Sequence, residues 1–169
     1  MNELLELDTT NDALYQKNIS DFLDNRVIVF NTVVDSDVME NVILYILKWN
    51  KEDQDLPIEK RKKIKLYIST PGGSTFTAWS LIDVITNSKT PVVGVCFDMC
   101  ASAGFYMYIA CHERVAFKNS AIMEHDGQVS IENSSKKAKD VMAFFDTMDE
   151  RIKQHVLKYT NIDSDFYDN

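Results

Sequence analysis

Glycine is scarce in this sequence, at five residues, and proline scarcer, at three. A phosphate loop needs clustered glycines or a Gly-Lys-Ser/Thr ending. The only adjacent pair, Gly72 and Gly73, runs into Ser74 and Thr75 with no lysine beside it. Positive charge is also short: 18 basic residues stand against 26 acidic ones, for a net charge of −8. That balance provides no electrostatic footprint for nucleic acid or an anionic membrane. The densest basic run, "EKRKKIK" at 59–65, reads as a solvated approach to a strand. No window approaches the ~20 apolar residues of a membrane span. The N-terminus "MNELLELDTTND" lacks the apolar run of a signal peptide. A cytoplasmic location is expected.

Cysteine is limited to Cys96, Cys100 and Cys111, an odd number inside apolar segments. Disulfides are therefore not expected, and reduced core thiols are. A zinc site built from these cysteines and His112 lacks the spacing of a ligand pair, so neither metal nor cofactor is expected.

What is present has α/β order. A chain of 169 residues suits one domain with its own core. Residues 1–14 read as a flexible N-terminal segment and 15–169 as the domain, opened by a short docking helix with Tyr15, Ile19, Phe22 and Leu23 on its face. "RVIVF" (26–30) and "IKLYIS" (64–69) read as strands, separated by a helix carrying Val38, Met39, Val42, Ile43, Ile46, Leu47 and Trp49 on one stripe, with Asp35, Ser36 or Asp37 as its cap. A second helix follows Gly73. The strand "VVGVCF" (92–97) then leads into "DMCASAGFYMYIAC", read as one apolar buried helix. Two short strands follow, at 114–117 and 121–125, and then a long amphipathic helix over 134–159. This order implies a mainly parallel sheet with helices packed against it.

Three side-chain settings carry chemistry. The glycine pair closes a strand and opens a helix. It is either an ordinary turn or a close backbone approach whose N–H groups face a ligand; a hairpin is excluded, because the next segment has helical spacing. Ser102 lies among Cys100, Ala101, Ala103 and Gly104. It is either a helix cap or a nucleophile with room beside its hydroxyl. A nucleophilic serine needs a base. Of the three histidines, His112 follows the helix, His155 lies in the terminal helix as a surface or interface residue, and His125 ends the strand "AIMEH", where a side chain can face a cleft.

Taken in order, "LYISTPGGSTFTAWSLIDVI", "CASAG" and "NSAIMEH" resemble the proteolytic subunit of the Clp protease, and the resemblance extends over residues 15–160. It implies a crotonase-like α/β fold, with repeated strand-strand-helix units and a long C-terminal handle helix. It implies a serine endopeptidase acting on unfolded polypeptides, with Ser102 as nucleophile, His125 as general base, and the N–H groups of Gly73 and Ala103 as the oxyanion hole. On the same grounds a side chain at Gly73 is expected to block the substrate while sparing the fold. Stacked seven-subunit rings and an AAA+ unfoldase partner are likewise implied. The third triad carboxylate of that family falls, by spacing, beyond Asn169. Asp163, Asp165 and Asp168 are only stand-ins, and the domain is expected to lack its C-terminal end. A non-catalytic subunit of the same kind and a phage-type capsid maturation protease on the same fold are the alternatives.

Overall fold

Alternation along two segments starts the sheet. In β1 (Val27–Phe30), Ile28 and Phe30 are buried while Val29 is exposed. In β2 (Ile64–Thr70), Ile64, Leu66, Ile68 and Thr70 are buried while Lys65 is exposed. Period-two burial of this kind places one sheet face on the core and leaves the other open. The computed structural model describes residues 2–125 and 135–167.

Five parallel strands form the sheet. β1 pairs with β2, and β2 with β3 (Val92–Ala101). Register then breaks: Ile68 faces Cys96, but Thr70 faces Cys100. The extra residues bend β3 and divide its free edge. Val93–Cys96 pair with β4 (Glu113–Ala116), and Met99–Ala101 pair with β5 (Ala121–Met123). An irregularity of this kind re-aims a strand end, here the end that leads into Ser102.

Between β1 and β2 the helical stripe starts as a π-type turn, Met39–Ile43, and continues as α2 (Leu44–Glu52). Of the expected stripe, Val38, Val42, Ile43, Ile46 and Trp49 are buried, whereas Met39 and Leu47 lie at its edges and are exposed. None of the three expected caps holds the N-cap position: Val38 does, without a side-chain cap, and Asp35 Oδ1 only accepts the Asp37 N–H at 3.0 Å in the turn before it. α3 (Thr75–Asn87) follows the glycine pair.

The segment after β3 departs from expectation. The apolar stretch is not a single helix, because β3 runs to Ala101 and only Ala103–Ile109 form α4. Pairing with β5 holds the first half extended. A run that is apolar throughout has no period with which to divide strand from helix.

The N-terminal reading separates a flexible segment, 1–14, from a short helix. The structure draws α1 as one helix, Asn2–Asp24, across that boundary. Leu14, Tyr15 and Phe22 are exposed on it, while Leu23 packs against the core. At the other end, α5 (Ser135–Tyr159) and α6 (Ser164–Tyr167) close the described chain. Only the second half of α5 is well packed: Met148 and Val156 are buried and Ile152 joins the core, whereas Met142 and Phe144 remain exposed. His155, read from sequence as a surface or interface residue, is buried at 6 % exposure.

Candidate active site

Two strand-to-helix junctions meet. At the first, Thr70 is buried and its Oγ1 accepts the Gly72 N–H at 3.1 Å. Gly72 and Gly73 both hold positive φ, 103° and 147°. At the second, Ser102 sits between β3 and α4 with φ 53° and ψ −124°. A non-glycine residue at such angles is strained by about 1–3 kcal/mol and persists only where its surroundings enforce it.

The surroundings are tight. A Cβ on Gly72 would stand 2.7 Å from Ser102 Cβ, 2.8 Å from the Ala101 carbonyl and 3.1 Å from the Ala103 nitrogen. Gly72 therefore lies directly against the serine turn. Gly104, in the first turn of α4, presses on the Thr70 methyl, so Thr70 braces both junctions. Gly73 has a different neighbour. Its Cβ would run into the backbone of Val34, with which it forms a parallel bridge, flanked by Val34 N–H to Gly72 C=O at 2.8 Å and Ser74 N–H to Val34 C=O at 2.7 Å. The expectation that a side chain at Gly73 spares the fold is therefore corrected, because it would displace Val34. Gly72, which makes the serine contact, went unremarked in the sequence; the signal was the doublet itself, since one close approach needs only one glycine.

The two serines that start helices differ in how they are used. Ser74, starting α3, accepts the Thr77 N–H at 3.2 Å and is a true N-cap. Ser102, starting α4, makes no side-chain capping bond. Its backbone is fully used: the N–H donates to the Met123 carbonyl at 2.9 Å, and its carbonyl accepts from Phe105 at 2.9 Å and Tyr106 at 3.3 Å. Among the described residues no hydrogen bond of its hydroxyl is seen. Nor do the N–H groups of Gly73 and Ala103 donate to any acceptor among the described residues. A strained serine with an uncommitted hydroxyl on a strand-to-helix turn, beside unpaired N–H groups, has the layout of an activated nucleophile and an oxyanion site.

β5 brings His125 to this junction. Ala101 pairs with Met123, and the Ser102–Met123 bond extends that register past the strand end. Glu124 and His125 follow directly, so the exposed His125 leaves β5 alongside the serine. Glu124 Oε1 accepts the Tyr106 hydroxyl at 3.2 Å. Burial first, and then Glu124, push the Tyr106 phenol upward.

The other candidates have separate duties. His112 Nδ1 accepts the Val92 N–H at 3.2 Å and steadies the start of β3. His155 Nε2 donates to the Tyr106 carbonyl at 2.9 Å, with Trp79 edge-on at 5.2 Å. Burial lowers its basicity. All three cysteines are free and buried, and burial pushes the Cys111 thiol up to about 12. Among the described residues no group of histidine, cysteine and acidic side chains could hold a metal, and no helix is long and apolar enough to cross a membrane. Asp163 and Asp165 lie at the start of α6. Asp168 falls outside the described residues.

Comparison with known proteins gives consistent matches. The family described as Clp protease matches residues 10–166. The "ATP-dependent Clp protease proteolytic subunit" of Cyanophora paradoxa is 35 % identical over 124 residues, covering 72 % of this chain and 61 % of the relative. The protein of the same description from Deinococcus radiodurans is 26 % identical over 142 residues, covering 80 % of this chain and 67 % of the relative. The chain thus spans about three fifths to two thirds of the length of these relatives.

Proposed function

The chain belongs to the Clp protease family, and from that premise we propose that it is a serine endopeptidase subunit cutting unfolded polypeptides within an oligomeric chamber. The observation that carries this reading is the strained, uncapped Ser102, wedged between Gly72 and the β5 end that bears His125. The paired strand and the glycine contact hold the serine turn from opposite sides.

In this mechanism Ser102 Oγ attacks the peptide carbonyl. His125 accepts the hydroxyl proton and passes it to the leaving amine. The N–H groups of Gly73 and Ala103 stabilise the tetrahedral oxyanion; one such donor is worth about 100- to 1,000-fold in rate. Water, activated by the same histidine, then releases the acyl group. No metal or cofactor takes part in these steps. A carboxylate to orient His125 is a further requirement of the scheme, and none of the described aspartates is assigned to it.

The relatives' description as ATP-dependent supports an AAA+ unfoldase as the supplier of extended chains, and family membership supports stacked rings of copies. The deciding experiment compares fluorogenic peptide hydrolysis and labelling by a serine-directed phosphonate in the protein and its Ser102→Ala variant. Both signals should vanish in the variant. Turnover that survives Ser102→Ala would end the proposal.

A further inference from the structure

We propose that Tyr106 is a positioning residue that sets the distance between nucleophile and base; this deepens the reading of Ser102 and His125 given above and rests on it. Tyr106 lies one helical turn beyond Ser102 in α4 and is 4 % exposed. It holds three separate parts of the site. Its N–H donates to the Ser102 carbonyl at 3.3 Å. Its hydroxyl donates to Glu124 Oε1 at 3.2 Å, fastening the residue next to His125. Its carbonyl accepts from His155 Nε2 at 2.9 Å, which fixes α4 against α5.

The hydroxyl bond matters because β5 ends too soon. Pairing with β3 stops at Met123, and the last backbone bond to the serine turn is Ser102 N–H to Met123 C=O. Glu124 and His125 follow beyond the end of that pairing. The Tyr106–Glu124 bond is the next tie to α4, and it draws the Glu124 side chain toward the helix. Fixing Glu124 to α4 fixes the chain one residue before His125, so Glu124 acts as a tether for the segment that carries the imidazole. Hydrogen bonds to a charged acceptor are the stronger kind, and a buried phenol gives this one a rigid base.

A positioning role predicts a loss in turnover without a loss in substrate affinity. Tyr106→Phe keeps the ring and deletes the hydroxyl. In fluorogenic peptide hydrolysis it should lower kcat about tenfold at unchanged KM, as expected when a reacting group is slightly misplaced. Glu124→Ala, a change at an exposed residue, should reproduce that loss and serves where Tyr106→Phe folds poorly. Glu124→Gln keeps an oxygen acceptor and should recover activity to within about threefold of the unsubstituted protein. The double variant Tyr106→Phe/Glu124→Ala should be no slower than either single one. The inference is overturned if Glu124→Ala retains full kcat, if Glu124→Gln is as slow as Glu124→Ala, or if the two losses multiply. Should Ser102→Ala abolish turnover while these variants leave it intact, this inference alone fails; turnover that persists in Ser102→Ala removes both.

Discussion

At the residue scale the site depends on two unusual backbone conformations in contact. Ser102 is held at a positive φ that a side chain resists, and Gly72 occupies the space that keeps it there. Gly72→Ala would add a methyl 2.7 Å from Ser102 Cβ on a backbone with φ 103°. The serine turn must then shift, and a displacement near 1 Å costs about 100-fold in rate. Peptide hydrolysis should fall by about that factor while far-ultraviolet circular dichroism is retained. Normal turnover in Gly72→Ala would show that the contact does not govern the site. Gly73→Ala has a different expected signature. It crowds the Val34 backbone and should cost more than about 1 kcal/mol of stability, read as a lower urea midpoint.

At the element scale the framework is fastened by buried polar ties. Arg26, just after α1, donates through Nη1 and Nη2 to both oxygens of Asp53, the latter contact at 2.8 Å, and Thr90 Oγ1 donates to Asp53 at 2.8 Å. This joins the end of α2 to the starts of β1 and β3. The Arg26 hydrogen bond, opposed by burial and aided by Thr90, holds the Asp53 carboxyl below its ordinary range. Its stabilising contribution is complete above the unfolded value of about 3.9 and is lost as pH falls through the lower folded value. His155 also has a lowered pKa, because burial penalises the imidazolium. Below the unfolded value of about 6.5 the unfolded chain takes up the proton first, so stability declines from there down to the folded value. Urea midpoints should therefore fall in two stages on acidification. His155→Gln should remove the upper stage alone; an unchanged slope between pH 7 and 5 in that variant would refute the assignment. Removing one partner of the buried ion pair, as in Asp53→Ala, should cost about 3 kcal/mol at neutral pH.

At the scale of the whole molecule, among the described residues the second face of the sheet carries exposed apolar side chains toward both edges. Register aligns Val29, Tyr67, Val95 and Val115 in a row across β1 to β4, and Val29 and Val115 are 43 % and 48 % exposed. Phe117, Ile122 and Met123 extend the exposed apolar surface at the edge bearing β4 and β5. An isolated domain seldom leaves this much apolar area in water. The assembly proposed for this chain provides the cover, so native mass measurement should find a multi-subunit species. Val115→Asp should shift it to smaller ones, and a monomeric unsubstituted protein would contradict the proposal.

Much of this was legible in the residues. β-branched and apolar runs marked β1 and β2, and the 3.6-residue spacing of Val38, Val42, Ile46 and Trp49 marked the helix between them. The Ser102 and His125 candidates were legible as ordered motifs. Other features were not. The uniformly apolar stretch around Cys100 hid the strand end, since full burial erases periodicity. Nothing local to Tyr106, Glu124 or His155 announced that they would meet, because such pairs are separated by 18 and 49 positions. The sequence by itself determined the element types, the glycine doublet and the small residues around Ser102, all of them local matters of backbone freedom and side-chain volume. Only the tertiary structure decided that Gly72 rather than Gly73 touches the serine, that Ser102 is strained and uncapped while Ser74 caps, and that His155 is a buried brace. Each of these depends on which distant backbone occupies the neighbouring space.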